Sequence, residues 1–214
     1  MAEKIKNEGL SNLQKDALKE ISSITTGNAT AALSKLVKKK VNIQIPKSEF
    51  YDKNELCDIL GGKDDVVVSI YCGILADLTG QVLFLFKRKD ALDLVKMLTG
   101  KKMNTKYLDR YSESAFGEMA NIFTGSYLNA LSELFQITIL PGIPIVATDY
   151  MGPIIDYVWG RIENPEKKML CFTTKISLDD YNINGYFVFM FDAQSYHNVL
   201  KKLESDYGVK SRRG

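Results

Sequence analysis

Two stretches of this chain, Asp16-Ala-Leu-Lys-Glu-Ile-Ser-Ser-Ile-Thr-Thr-Gly27 and Ser114-Ala-Phe-Gly-Glu-Met-Ala-Asn-Ile-Phe-Thr-Gly125, align on each other without a gap. In a register of 98 residues (114 − 16 = 98), Asp16 falls on Ser114, Glu20 on Glu118, Ser23 on Asn121, Ile24 on Ile122, Thr26 on Thr124 and Gly27 on Gly125. The same register carries Leu33 onto Leu131 and Pro46 onto Pro144. Further along, a register of 105 (185 − 80 = 105) sets Gly80-Gln-Val-Leu-Phe-Leu-Phe86 beside Gly185-Tyr-Phe-Val-Phe-Met-Phe191, with Leu94 on Val199 and Leu98 on Leu203. Self-similarity at a fixed period marks a duplicated structural unit. The seven residues by which the registers differ (105 − 98 = 7) fit a loop insertion in the second half.

Local signals give each unit the order helix, strands, helix. From Leu10 onward Leu13, Ala17, Ile21 and Ile24 recur at helical spacing, so the first stretch reads as an amphipathic helix with Ser11 or Asn12 as its N-cap. The second spans about Ser112 to Phe135, with Ala115, Met119, Ile122 and Phe123 on its buried side and Pro141 closing the stretch after it. Strands are expected at Val66 to Tyr71, Gly80 to Phe86, Lys168 to Ile176 and Gly185 to Phe191, where apolar, β-branched and aromatic residues cluster between breakers. Asp90 and Ala193 open the closing helices.

Bulk properties exclude several classes of function. Net charge is +2, from 28 basic and 26 acidic residues, too even a balance for a nucleic-acid binder or a polybasic membrane protein. Lys38-Lys39-Lys40 and Lys210 to Arg213 read as solvated surface. No run approaches the 18 or so apolar residues of a membrane span, and no apolar leader opens the chain, so a cytoplasmic protein with no membrane partner is expected. Cys57, Cys72 and Cys171 are widely spaced, without a C-x-x-C pair, and read as buried thiols in a reducing compartment. His197 is the single histidine, which leaves neither a metal site nor a histidine-dependent hydrolase triad to build. No glycine-rich nucleotide loop occurs.

What remains is polar and helical. Steps of four and three place Ser114, Glu118 and Asn121 within about 60° of one another on a helix, and Asp16, Glu20 and Ser23 form the same row on the other. A Glu-x-x-Asn tetrad alone arises by chance in about every second chain of this length. Here each row sits at the same place in a repeat, is followed by Gly27 or Gly125, and has a proline 23 residues on (46 − 23 = 23; 144 − 121 = 23).

This pattern, Asp or Ser, three residues, Glu, two residues, Asn, twenty-two residues, Pro, resembles the signature of the CheC, FliY and CheX phosphatases, which dephosphorylate the chemotaxis response regulator CheY. The second repeat matches it at Ser114, Glu118, Asn121 and Pro144; the first matches at Asp16, Glu20 and Pro46 but has Ser23 in place of asparagine. The duplicated length is similar to CheC rather than to the shorter CheX. The resemblance implies an α+β fold, with two pseudo-two-fold related α-β-β-β-α units sharing one β-sheet and two long motif-bearing helices exposed on one side. The expected organisation is a single domain over residues 1–214, with repeats at about 10–105 and about 108–207.

The same resemblance implies a protein aspartyl-phosphate phosphatase whose catalytic residues are Glu118 and Asn121. Attack on an aspartyl phosphate needs a water held opposite the leaving oxygen, and an amide can position it by accepting one hydrogen bond and donating another. Asn121 would do this, as a glutamine does in GTPases. Glu118 would pair with a lysine in the regulator's phosphorylation pocket. No cofactor of the chain's own is implied, since Mg²⁺ and the phosphoaspartate belong to the partner.

Serine is shorter than asparagine by one heavy-atom position, and a misplacement of about 1 Å costs on the order of 100-fold. The first row is therefore expected to be weak or dead in catalysis, with Glu20 left as a docking group. Asp149-Tyr-Met-Gly152 resembles the segment by which CheC proteins engage the receptor deamidase CheD, while a plain turn or strand-end cap is the alternative for Asp149. A rival for the whole chain is a non-catalytic adaptor for CheY or CheD related to flagellar switch components, although switch proteins of the FliM type lack the Glu and Asn pair.

Overall fold

The computed structural model describes residues 12–100, 109–162, 169–178, 181–192, 194–195, 197–199 and 201–202. Leu10, Ser11, Lys168, Ala193, Leu203 and the Lys210 to Arg213 tail lie outside these ranges. The first repeat holds α1 (Asn12–Val37), β1 (Asn42–Tyr51), α2 (Lys53–Leu60), β2 (Val66–Ala76), β3 (Gly80–Lys87) and α3 (Arg88–Thr99). The second holds α4 (Arg110–Phe135), β4 (Ile139–Pro141), β5 (Ile145–Tyr150), α5 (Met151–Trp159), β6 (Met169–Leu178) and β7 (Tyr181–Phe191). After β7 the described residues between 194 and 202 are helical.

The α+β architecture is the one read from sequence, and the duplication holds at the level of single residues. Helices α1 and α4 end 98 positions apart (135 − 37 = 98). Each is followed by a non-glycine residue in the left-handed region, Lys38 (φ 54°) and Gln136 (φ 53°), again 98 apart. The next backbone N–H closes each helix in the same way, Lys39 to the Ser34 carbonyl and Ile137 to the Ser132 carbonyl, both at 3.2 Å. Within each unit a short helix adds to the order expected from sequence, α2 between β1 and β2 and α5 between β5 and β6.

All strand pairs are antiparallel in one sheet ordered β1-β6-β7-β3-β2-β4, with β5 also on β2. The two halves meet at β3 and β7, and each also lends its first strand to the other. Strand β1 pairs with β6, whereas β4 and β5 pair with β2. Neither half can therefore complete its own sheet.

Side chains alternate across the central strands, as strand geometry requires. Val82, Phe84, Phe86, Phe187, Phe189 and Phe191 join the core beneath α1, α3 and α4. Leu83, Leu85, Val188 and Met190 join the core beneath α2 and α5, which supply Leu56, Met151, Ile155 and Val158. The two long helices thus share one side of the sheet. Cys57 and Cys72 are buried free thiols, each with its pKa raised chiefly by burial. Among the described residues no helix is long and apolar enough to cross a membrane.

The two motif prolines sit at matching irregularities. In β1, Gln44 to Lys47 advances three residues while β6 advances two, Lys175 to Thr173, so Ile45-Pro46 forms a one-residue bulge. Across β4 and β5, Pro141 to Ile145 advances four residues while β2 advances three, Ile74 to Tyr71, with Pro144 in the gap. Proline has no N–H to give a ladder, and a bulge is where a strand tolerates it. Gly142 makes the second irregularity possible: a Cβ there would stand 3.2 Å from the Gly73 nitrogen, and its own N–H donates to the Gly73 carbonyl at 2.8 Å.

Candidate functional site

Helix α4 starts two residues before the position expected from sequence. Asp109 caps it, its carboxylate accepting the Ser112 N–H at 2.8 Å and the Ser112 hydroxyl at 2.5 Å. The face turned to the sheet carries Phe116, Met119, Ala120, Phe123, Thr124, Tyr127, Leu128 and Leu131, all buried. Met119 and Phe123 lie where the sequence puts them, while Ala115 and Ile122 sit at the margin, half-buried.

These eight buried positions leave another edge to Ser114, Glu118 and Asn121, and all three are exposed. Glu118 and Asn121 make no hydrogen bond or ion pair among the described residues. Ser114 is already engaged, its hydroxyl donating to the Arg110 carbonyl at 2.9 Å, so it is tied to its own helix. The helix therefore presents one carboxylate and one carboxamide, a turn apart and uncommitted.

On α1 the equivalent row of Asp16, Glu20 and Ser23 is also exposed. Among the described side chains of this helix Ser22, Thr25, Ala29 and Leu33 are buried, and Ile24, expected on the apolar stripe, is 48% exposed beside Ser23; the side chains of Leu13, Ala17 and Ile21 lie outside the described residues. Helix α1 packs against α4 as well as the sheet, and Ser22 and Thr25, on either side of Ser23 and Ile24, are the residues turned inward. Tyr127 of α4 makes the cross-link: buried to 2% exposure, its hydroxyl bonds to Thr25 and Thr26 of α1. Burial pushes that phenol up to about 12, with the two threonine hydroxyls acting the other way.

Other sequence-named residues stand apart from the row. Pro46 and Pro144 occupy the two strand irregularities. Asp149 is exposed in β5 opposite Val67, and its carboxylate accepts the N–H of the next residue, Tyr150, at 2.7 Å; Tyr150 is the N-cap of α5, which has no side-chain cap bond. His197 is exposed on the closing helix. Among the described residues no group of three or more His, Cys, Asp or Glu side chains stands together as a metal-binding set.

Ser114, Glu118 and Asn121 lie on an exposed helix edge. A cleft of about 610 Å³ lined by Thr79, Gln81, Arg161 and Asp192, and one of about 370 Å³ lined by Asp77, Phe135 and Lys202, contain no residue of the motif. Small-molecule sites are concave, so a protruding helix edge fits a macromolecular partner with a pocket of its own. Sequence reasoning passed over Gly117, which stands four residues before Asn121 as Gly125 stands four after; the i ± 4 spacing was the signal.

Comparison with known proteins bears on the family and the fold. A model of the CheC-like family matches residues 112–146, from the first turn of α4 through Pro144. The chain is 32% identical over 150 residues to the CheY-P phosphatase CheC of Bacillus subtilis, covering 69% of this chain and 72% of the relative. Among solved structures, FliY of Thermotoga maritima superposes with a TM-score of 0.70 at 21% identity, covering 94% of this chain and 98% of that one. The FliM middle domain of H. pylori superposes at 0.65 with 12% identity, over 90% and 99% of the two chains. At these identities the structures establish a shared fold.

Proposed function

The chain belongs to the CheC-like family, and on that premise we propose that α4 is the working face of a phosphatase acting on the aspartyl phosphate of the response regulator CheY. The observation that carries this reading is the pair Glu118 and Asn121, adjacent, exposed and uncommitted on a protruding helix edge. The carboxylate reaches into the regulator's pocket and pairs with its lysine, a charge-assisted contact that fixes the register of the helix. The Asn121 amide then holds a water in line with the P–O bond. Positioning, rather than covalent chemistry, is the protein's contribution to phosphoryl transfer, and Mg²⁺ in the regulator supplies charge neutralisation.

A second reading, an adaptor that binds the regulator without turnover, is favoured by Ser23 on the other face and by the fold likeness to the FliM middle domain. One assay separates the two. Phosphate release from phosphorylated CheY should proceed well above the spontaneous rate, fall on the order of 100-fold in Glu118→Ala, and change little in Glu20→Ala. Binding of CheY with release no faster than spontaneous would establish the adaptor instead.

A further inference from the structure

Resting on that reading, we infer that Gly125 and Gly117 set how closely the phosphorylated regulator approaches Asn121: they leave bare backbone on both sides of it, and the walls of the partner's phosphorylation pocket close onto that backbone. Both glycines lie inside α4, where glycine is an unfavourable residue relative to alanine. Neither has a positive φ, so no backbone conformation requires it. Neither is required by packing, because a Cβ built at either position meets nothing within 4 Å. Whatever excludes a side chain there lies outside this chain.

Their placement says where the partner sits. Steps of four put both on the ridge of Asn121, one turn to either side, over a span of about 12 Å. Helical side chains lean toward the N-terminus, so one at position 125 would cover the turn that carries Asn121. One at 121 itself leans over the bare turn at Gly117. The amide thus stands between two bare positions, with Glu118 beside it, a shape a narrow pocket can straddle.

The repeat adds an independent check. Gly27 stands four residues after Ser23, and a Cβ there also meets nothing within 4 Å. Position 19, equivalent to Gly117 (117 − 98 = 19), is an exposed lysine. The face with asparagine is cleared on both sides; the face with serine is cleared on one.

The test uses the full chain, phosphorylated CheY and three variants, with phosphate release and thermal unfolding measured on each. Gly125→Ala and Gly117→Ala are expected to unfold about 2–4 °C higher than wild type while releasing phosphate at least about tenfold more slowly. Stability and rate moving in opposite directions is a result no merely structural glycine gives. Wild-type rates in both alanine variants, beside a slow Asn121→Ala, would overturn this inference and leave the phosphatase reading standing. Lower stability together with lower rate would also overturn it, by showing the glycines to be structural. A wild-type rate in Asn121→Ala would remove the phosphatase reading and this inference with it.

Discussion

Ser22 and Ala120 occupy equivalent places in the two repeats (120 − 22 = 98), each buried, yet the Ser22 hydroxyl has no hydrogen-bond partner among the described residues. A buried donor left unpaired costs about 1–3 kcal/mol. Ser22→Ala, copying what the second repeat already does, should therefore stabilise the chain by about 1 kcal/mol and raise the Tm by about 2–4 °C; a lower Tm in thermal unfolding would show that the hydroxyl is doing something its surroundings conceal. At this scale the sequence was readable where helix arithmetic is enough. Glu118 and Asn121 share an edge on any helix, whatever it packs against. The burial of Ser22 and the exposure of Ile24 depend instead on how α1 is rotated against α4, and period 3.6 alone does not determine that rotation. The role of the prolines was equally hidden: their 23-residue spacing was visible, but the bulges they occupy exist only once β1 meets β6 and β5 meets β2.

Among the elements, α1 and α4 carry the account, and Tyr127 is where they are joined. Its phenol ionises in the folded chain at about 12 rather than the ordinary 10, so the folded state holds that proton more tightly than the unfolded one. Stability from this group is present below pH 10 and lost as the pH rises from 10 through 12. Tyr127→Phe removes the hydrogen bonds to Thr25 and Thr26 and should cost about 1 kcal/mol at neutral pH. It should also flatten the decline in unfolding free energy between pH 10 and 12, measured by urea titration at both ends; an unaltered alkaline decline would assign it to another group. The long helices were legible in sequence because 26 residues carry many turns of periodicity. Helices α2 and α5, of eight and nine residues, were not, since short apolar runs such as Ile154-Ile155 do not distinguish a helix from a buried strand.

The whole molecule is a duplicated scaffold whose halves exchange their first strands, which fixes both long helices on the same side of one sheet and turns both polar rows outward. The duplication itself came directly from the 98-residue register, whereas the strand exchange was beyond reach, because pairing partners distant in sequence leave no trace in local periodicity. The fold is symmetric, but the residues on the two faces differ. One face has Asn121 on a ridge cleared at Gly117 and Gly125; the other has Ser23 beside the half-exposed Ile24 and an exposed lysine at position 19. The central claim is that this is a phosphatase with a single working face. It is tested most directly by the rate of phosphate release from phosphorylated CheY in the Asn121→Ala variant: the account predicts a fall to the spontaneous rate, since the Ser23 face supplies no turnover, and a rate equal to wild type, or lowered only by half, would contradict it.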